Sequence, residues 1–243
     1  MKMTMRNICG ALMGLSLAAC GPGLEEEQGT SQQEQELEAG CTALGSGITS
    51  HSCAHSTNSA DHVSVTATSG LTAATPGIST AHKQFDVTLP ASAAGTVKFQ
   101  PATAGSWAFY LTQNTAITVK DSAGNTLSAA LTHSVSGCSL TKVAVYNLSS
   151  TTTAYQVVLG PASGNLVGVV AERVEDYTVR YYQDSDGDAW GNSSVSVLTA
   201  CVPPAGYITQ RYDCNDTNAS INPSAAEITG NSVDENCNGS LTN

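Results

Sequence analysis

Short runs of alternating apolar and polar residues fill the chain between residues 62 and 171, and they constrain its fold most strongly. Side chains of a β-strand point to opposite faces in turn, so this period of two predicts strands with one buried face. Turn-forming Pro, Gly and Asn residues separate the runs. Many short strands with such turns predict a β-sandwich or jelly roll at residues 41–171. The predicted strands are His62–Thr66, Phe85–Leu89, Val97–Phe99, Trp107–Leu111, Ala116–Lys120, Lys142–Leu148, Tyr155–Leu159 and Leu166–Val170.

The strand pattern of residues 85–159 resembles the small secreted sandwich domains known as pre-peptidase C-terminal domains. That resemblance implies an adhesive or chaperoning module without catalytic chemistry. Neither a G-x-S-x-G nor an H-E-x-x-H motif occurs in the sequence. We therefore expect the chain not to be an enzyme, and an enzyme with an unrecognised site is the least favoured hypothesis.

The first twenty residues have the features of an export signal. Lys2 and Arg6 are followed by an apolar stretch over residues 8–19, which is too short to span a membrane. The stretch ends in Leu17-Ala18-Ala19-Cys20, which resembles the bacterial lipobox. The resemblance implies a signal peptide at residues 1–19, palmitate-type lipidation of Cys20 and an outer-membrane lipoprotein that faces the cell surface. The alternative is an ordinary signal peptide with an unrelated cysteine.

Charge divides the remaining chain into parts. Residues 20–40 hold six Glu and no aromatic residue, so we expect a disordered acidic tether. Residues 41–171 are nearly neutral, and after a linker at 172–180 the segment 181–243 holds eight acidic side chains and one Arg. The net charge of −11 argues against nucleic-acid binding, which needs a basic surface.

The C-terminal segment 181–243 concentrates oxygen-bearing side chains in three clusters. Calcium takes six to eight oxygen ligands, and alternating Asp residues in a tight loop can direct several carboxylates to one centre. The first cluster reads D-x-D-G-D, similar to the loops of thrombospondin type 3 repeats, and the last reads D-x-N-x-N-G. Ordinary turns are the alternative explanation of these residues. The candidate calcium ligands are Asp184, Asp186, Asp188, Trp190 through its carbonyl, Asn192, Asp213, Asn215, Asp216, Asn218, Glu227, Asp234, Asn236 and Asn238.

The order of these clusters resembles the MopE-type metal-binding repeat of bacterial surface proteins. The resemblance covers Tyr182 to Gly239, including the Cys201–Tyr207, Asp213–Asp216 and Ile221–Pro223 segments. It implies a small, irregular, cation-supported module with a Cys201–Cys214 disulfide. Thr229 stands where the family usually has the partner of Cys237. An exported chain is expected to form disulfides, and we predict Cys53–Cys138 as a second pair, which leaves Cys41 and Cys237 paired across the domains or free.

All five histidines lie in the predicted sandwich domain, and His51-Ser52-Cys53-Ala54-His55 places potential ligands at alternate positions. The surrounding Ser, Thr and Asn residues favour a strand or loop over a helix. Imidazoles suit copper or zinc. A second hypothesis is therefore a copper or zinc site that uses His51, His55, His82 and His133, against the alternative of ordinary polar histidines beside a disulfide.

Together these patterns predict an all-β, lipid-anchored surface protein with a calcium-stabilised C-terminal module. Its expected role is binding or display, with a cell-surface protein or polysaccharide as the possible partner and the membrane contacted only through the lipid.

Overall fold

The computed structural model describes residue 37 and residues 40–242. The predicted signal peptide, Cys20 and most of the predicted tether lie outside these described residues. Within them, no helix is both long enough and apolar enough to cross a membrane.

The described part of the chain contains twelve strands and one α-helix, which confirms the predicted all-β class. The strands are β1 (His62–Thr66), β2 (Gln84–Thr88), β3 (Gly95–Phe99), β4 (Gly105–Leu111), β5 (Ile117–Lys120), β6 (Leu131–Ser134), β7 (Lys142–Leu148), β8 (Tyr155–Leu159), β9 (Leu166–Arg173), β10 (Val179–Gln183), β11 (Asn192–Thr199) and β12 (Tyr207–Ile208). The helix is α1 (Ser46–Thr57).

Two sheets form the sandwich. A six-stranded sheet has the order β1-β2-β9-β4-β7-β6, and a three-stranded sheet has the order β3-β8-β5. Strands β1 and β2 pair in parallel, and the other neighbours pair antiparallel. The eight predicted strands all correspond to observed ones, whereas β6 was not predicted.

The inner faces of the two sheets enclose one apolar core. Phe109 of β4 is fully buried and makes edge-on contacts with Phe99 of β3 and Tyr146 of β7. Val157 of β8 and Val169 of β9 complete the same core from opposite sheets. The alternation seen in the sequence thus places every second residue of these strands in the core between the two sheets.

A second core lies on the outer face of the six-stranded sheet, where α1 covers the strands. Ile48 of the helix packs with Tyr110, Val143 and Val170, which point away from the first core. The expectation of a strand or loop around His51 was therefore wrong. Tertiary packing of Ile48 and the buried Ser52 outweighs the weak helix propensity of the Ser- and Thr-rich sequence.

The C-terminal module follows the sandwich with little intervening chain. The predicted linker at 172–180 consists of the end of β9, a 3₁₀ turn at Val174–Tyr177 and the start of β10. Strands β11, β10 and β12 form a small antiparallel sheet in that order. The rest of the module consists of turns, in agreement with the irregular structure expected.

Three disulfides correct part of the predicted pairing. Cys53 pairs with Cys138, as predicted. Cys201 pairs with Cys41 and not with Cys214, because residues 43–45 hydrogen-bond with residues 200–202 and bring the two cysteines together. Cys214 pairs with Cys237, which therefore has a partner within the module despite Thr229.

Candidate metal centres

The first acidic loop begins where β10 ends. Gly187 and Ala189 adopt positive φ angles of 80° and 76°, which curl the chain around Asp184. One carboxylate oxygen of Asp184 accepts a hydrogen bond from the Gly187 backbone N–H at 2.8 Å, and the other accepts from Ala189 N–H at 3.2 Å. Asp186 and Asp188 are thereby held with ligand atoms within 4.8 Å of those of Asp184.

A second loop, which follows β12, closes on the first. The Asp213 backbone N–H donates to the Gly191 carbonyl at 3.2 Å. The backbone N–H and hydroxyl of Ser185 both donate to the Asp216 carboxylate, at 2.7 and 2.8 Å. Carboxylate oxygens of Asp186, Asp213 and Asp216 consequently lie within 4.8 Å of one another. Asp186 belongs to both carboxylate groups, so the two loops form one continuous five-carboxylate cluster.

The electrostatics of this cluster are unfavourable without a cation. Burial, reinforced by neighbouring carboxylates, raises the pKa of Asp186 and the pKa of Asp213 above their ordinary values. Oδ2 atoms of Asp186, Asp188 and Asp213 are buried without a hydrogen-bond partner in the described structure. Buried, unpaired carboxylate oxygens are costly, and bound cations with oxygen ligands would satisfy them. The residues present therefore fit a metal ion.

Several of the amide side chains predicted as ligands accept hydrogen bonds within turns. The Oδ1 atoms of Asn192, Asn215 and Asn218 accept hydrogen bonds from Ser194 N–H, Thr217 Oγ1 and Ser220 N–H respectively. Trp190 lies beside the cluster. Its backbone N–H donates to Asp188 Oδ1, and its indole N–H donates to Ser224 Oγ at 3.1 Å. The five carboxylates converge, and each of these amide oxygens keeps a second lone pair beside the hydrogen bond that it accepts.

The third predicted cluster forms a separate loop. Asp234 accepts hydrogen bonds from Asn238 N–H and Gly239 N–H, and Asn236 and Asn238 accept from backbone N–H groups two residues ahead. Among the described residues, Asp234 joins neither carboxylate group.

Two buried glutamates are associated with this third loop, one before it and one within it. Glu227 is 8% exposed, and both of its carboxylate oxygens are buried without a partner in the described structure. Glu235, which sequence reasoning missed, accepts from Ile228 N–H and the Asn231 amide, and these hydrogen bonds lower its pKa. Glu235 therefore fixes the turn that precedes it, while the fully unpaired carboxylate of Glu227 fits an additional cation ligand.

The four histidines predicted as metal ligands divide into two sets. His51, His55 and His82 converge with Glu172, and the four ligand atoms, one from each residue, lie within 4.8 Å of one another. His133 lies outside this group and accepts a hydrogen bond from Leu44 N–H, so the structure does not bring it together with the other three. Glu172 was missed because its position fell in the predicted linker. Helix α1 places His51 and His55 one turn apart on the same face.

Comparison with known proteins supports the C-terminal site. A family model described as "Putative metal-binding motif" and labelled Cu-binding MopE matches residues 213–241. A search of curated proteins and of solved structures found no match to this chain. The matched segment begins at Asp213 and includes the Cys214–Cys237 disulfide. The C-terminal module is thus similar to a metal-binding motif, and the buried carboxylate oxygens beside it agree with a metal-binding role.

Proposed function

We propose that this protein binds calcium through its C-terminal module and acts, without catalysis, as a lipid-anchored binding or display protein of the cell surface. The observation that carries the calcium proposal is the five-carboxylate cluster centred on Asp186. Three of its buried oxygens have no hydrogen-bond partner in the described structure.

The ligand chemistry favours calcium over softer metals. The cluster offers only oxygen, and calcium is a hard cation that accepts many carboxylates in flexible geometry. Copper and zinc prefer imidazole or thiolate ligands. No histidine occurs in residues 181–243, and the three cysteines there are bonded in disulfides. Magnesium is less suitable because it demands near-ideal octahedral geometry and usually retains several waters.

An extracellular location is consistent with the covalent structure. The three disulfides are typical of an oxidising compartment. Extracellular calcium modules commonly bind at about 10⁻⁴ to 10⁻³ M, so the calcium found outside cells would be sufficient. The Leu17–Cys20 motif supports the lipid anchor, which would hold the sandwich and the module at the membrane surface. A cell-surface protein or polysaccharide is the proposed partner class.

Elemental analysis of the full-length protein, purified without chelator and dialysed to equilibrium against buffer whose only divalent metal is millimolar calcium, tests this function. We expect at least one equivalent of calcium per protein in excess of the dialysis buffer, and less bound calcium in Asp186→Asn. The matched control is Asp121→Ala, because Asp121 is a carboxylate of an exposed turn in the sandwich whose partners are Ala123 and Asn125. Calcium that is absent, or equally retained by Asp186→Asn, would contradict the proposal.

A further inference from the structure

We propose a second, independent metal site in the sandwich domain, in which His51, His55, His82 and Glu172 hold one Zn²⁺ ion. This site does not depend on the calcium proposal, because it uses different ligands in a different part of the fold. Its residues come from α1, from the connection between β1 and β2, and from the end of β9.

The spacing of the four ligand atoms matches a tetrahedral zinc ion. His51 Nε2 lies 3.0 Å from His55 Nε2 and 3.0 Å from His82 Nδ1. Glu172 Oε1 lies 3.6 Å from His51 Nε2 and 3.9 Å from His55 Nε2. Zinc bonds of about 2.0–2.1 Å in a tetrahedron separate ligand atoms by about 3.3–3.4 Å, which falls among these distances.

Hydrogen bonding alone does not account for this convergence. Nε2 of His51 lies at hydrogen-bonding distance from two other ring nitrogens, although a neutral ring nitrogen either donates one proton or accepts through one lone pair. Oε1 of Glu172 points into the same space and is buried, with no hydrogen-bond partner among residues 37 and 40–242, and the Glu172 side chain is only 6% exposed. A shared cation would coordinate all four atoms at once.

Outer residues orient the ligands as they do in known zinc sites. Asp61 Oδ2 lies 2.8 Å from His55 Nδ1, so the Nδ1–H donates to the carboxylate and the Nε2 lone pair faces the cluster. Asp61 is itself held by Lys83 at 3.0 Å. The Tyr177 hydroxyl donates to Glu172 Oε2 at 3.1 Å, which leaves Oε1 for the metal.

The backbone also positions one ligand at a conformational cost. His82 adopts a left-handed φ of 55°, which is uncommon for a residue other than glycine. Such strain persists where the surroundings fix it, and it clusters at ligand sites. Four protein ligands without an open position are typical of structural rather than catalytic zinc. Zinc at this site would fasten α1 and the β1–β2 connection to β9.

Competition titration of the chelator-stripped, full-length protein tests this site. Zn²⁺ is added against a chromophoric chelator, with millimolar calcium present to occupy the acidic module. We expect one equivalent of zinc, and cobalt substitution should give the visible spectrum of a tetrahedral centre. Asp61→Asn should weaken zinc binding by about 10–100-fold, as for other partners that orient a ligand.

His82→Asn should weaken zinc binding at least as much, because it removes a ligand. This variant preserves the fold, since His82 is exposed and Asn tolerates the left-handed backbone. Glu172→Gln should have the same direction of effect, and His133→Gln is the matched histidine control that should bind normally. Undiminished binding in His82→Asn, or loss of the zinc equivalent only in Asp186→Asn, would overturn the proposal.

Discussion

Replacing Asp186 with Asn should change the stability of the C-terminal module in opposite directions with and without calcium. Asp186 belongs to both carboxylate groups, so its charge lies within 4.8 Å of ligand oxygens from four other aspartates. Each such pair is worth about 1 kcal/mol of repulsion in a water-like dielectric at 4 Å. Screening by solvent and salt lowers the total repulsion that the substitution removes. We therefore expect Asp186→Asn to stabilise the metal-free module by about 1–2 kcal/mol.

In calcium the same substitution should be destabilising. The amide either presents an N–H group to the cation or flips and loses the hydrogen bond that Asp186 Oδ1 accepts from Asp188 N–H. Wild-type module at 100 times its dissociation constant gains about 2.7 kcal/mol from bound calcium, and the variant forfeits most of this gain.

Urea unfolding followed by Trp190 fluorescence measures both effects, because urea does not screen charges as guanidinium salts do. A Trp107→Phe background removes the other tryptophan, so that the signal reports the module alone. Asp121→Ala is the control whose effect should be independent of calcium. An Asp186→Asn effect of the same sign and size in calcium and in chelator would refute the electrostatic reasoning, and the acidic loops would then be turns only.

Four further predictions test other parts of the account. In chelator, trypsin should cleave after Arg211, the single basic residue of the segment 181–243. Residues 212–243 should then separate on a non-reducing gel, because Cys214 and Cys237 are bonded to each other, whereas a Cys201–Cys214 disulfide would retain them. Cys20→Ser should move the protein from the detergent phase to the aqueous phase, and unchanged partitioning would refute the lipid anchor. Phe109→Ala should cost about 3–5 kcal/mol in urea unfolding of the sandwich while leaving calcium affinity unchanged, because Phe109 is fully buried between the sheets. Hydrogen bonds from Asn125 lower the pKa of Asp121 below its ordinary 3.8. The Asp121 carboxylate therefore stabilises the fold above pH 3.8, and this stabilisation is lost as the pH falls through the folded-state pKa. The difference in urea midpoint between wild type and Asp121→Ala should accordingly shrink in acid.

The sandwich strands could be predicted because their pattern is local. Alternation in segments such as Trp107–Leu111 directly reflects which side chains face the core between the sheets. Helix α1 could not be predicted in this way, since its Ser- and Thr-rich sequence carries little amphipathic pattern. Packing of Ile48 on the outer sheet face and the Cys53–Cys138 disulfide stabilise the helix through contacts distant in sequence.

The sites show the same division between local and distant information. Asp184, Asp186 and Asp188 were recognisable because one tight loop contains them all. Glu172 was not, because only the pairing of β9 with β2 and β4 brings it beneath α1. Likewise, the Cys41–Cys201 disulfide depends on the short pairing of residues 43–45 with 200–202, for which the sequence carries no periodic signal.

Isothermal titration calorimetry of the chelator-stripped, full-length protein with calcium tests the central claim most directly. The full-length chain is required because Cys201 is bonded to Cys41, outside the module. We predict saturable binding of at least one calcium ion in the range of about 10⁻⁴ to 10⁻³ M or tighter, clearly weakened in Asp186→Asn and unchanged in Asp121→Ala. The absence of binding heat at millimolar calcium, together with unaltered Trp190 fluorescence, would contradict the account.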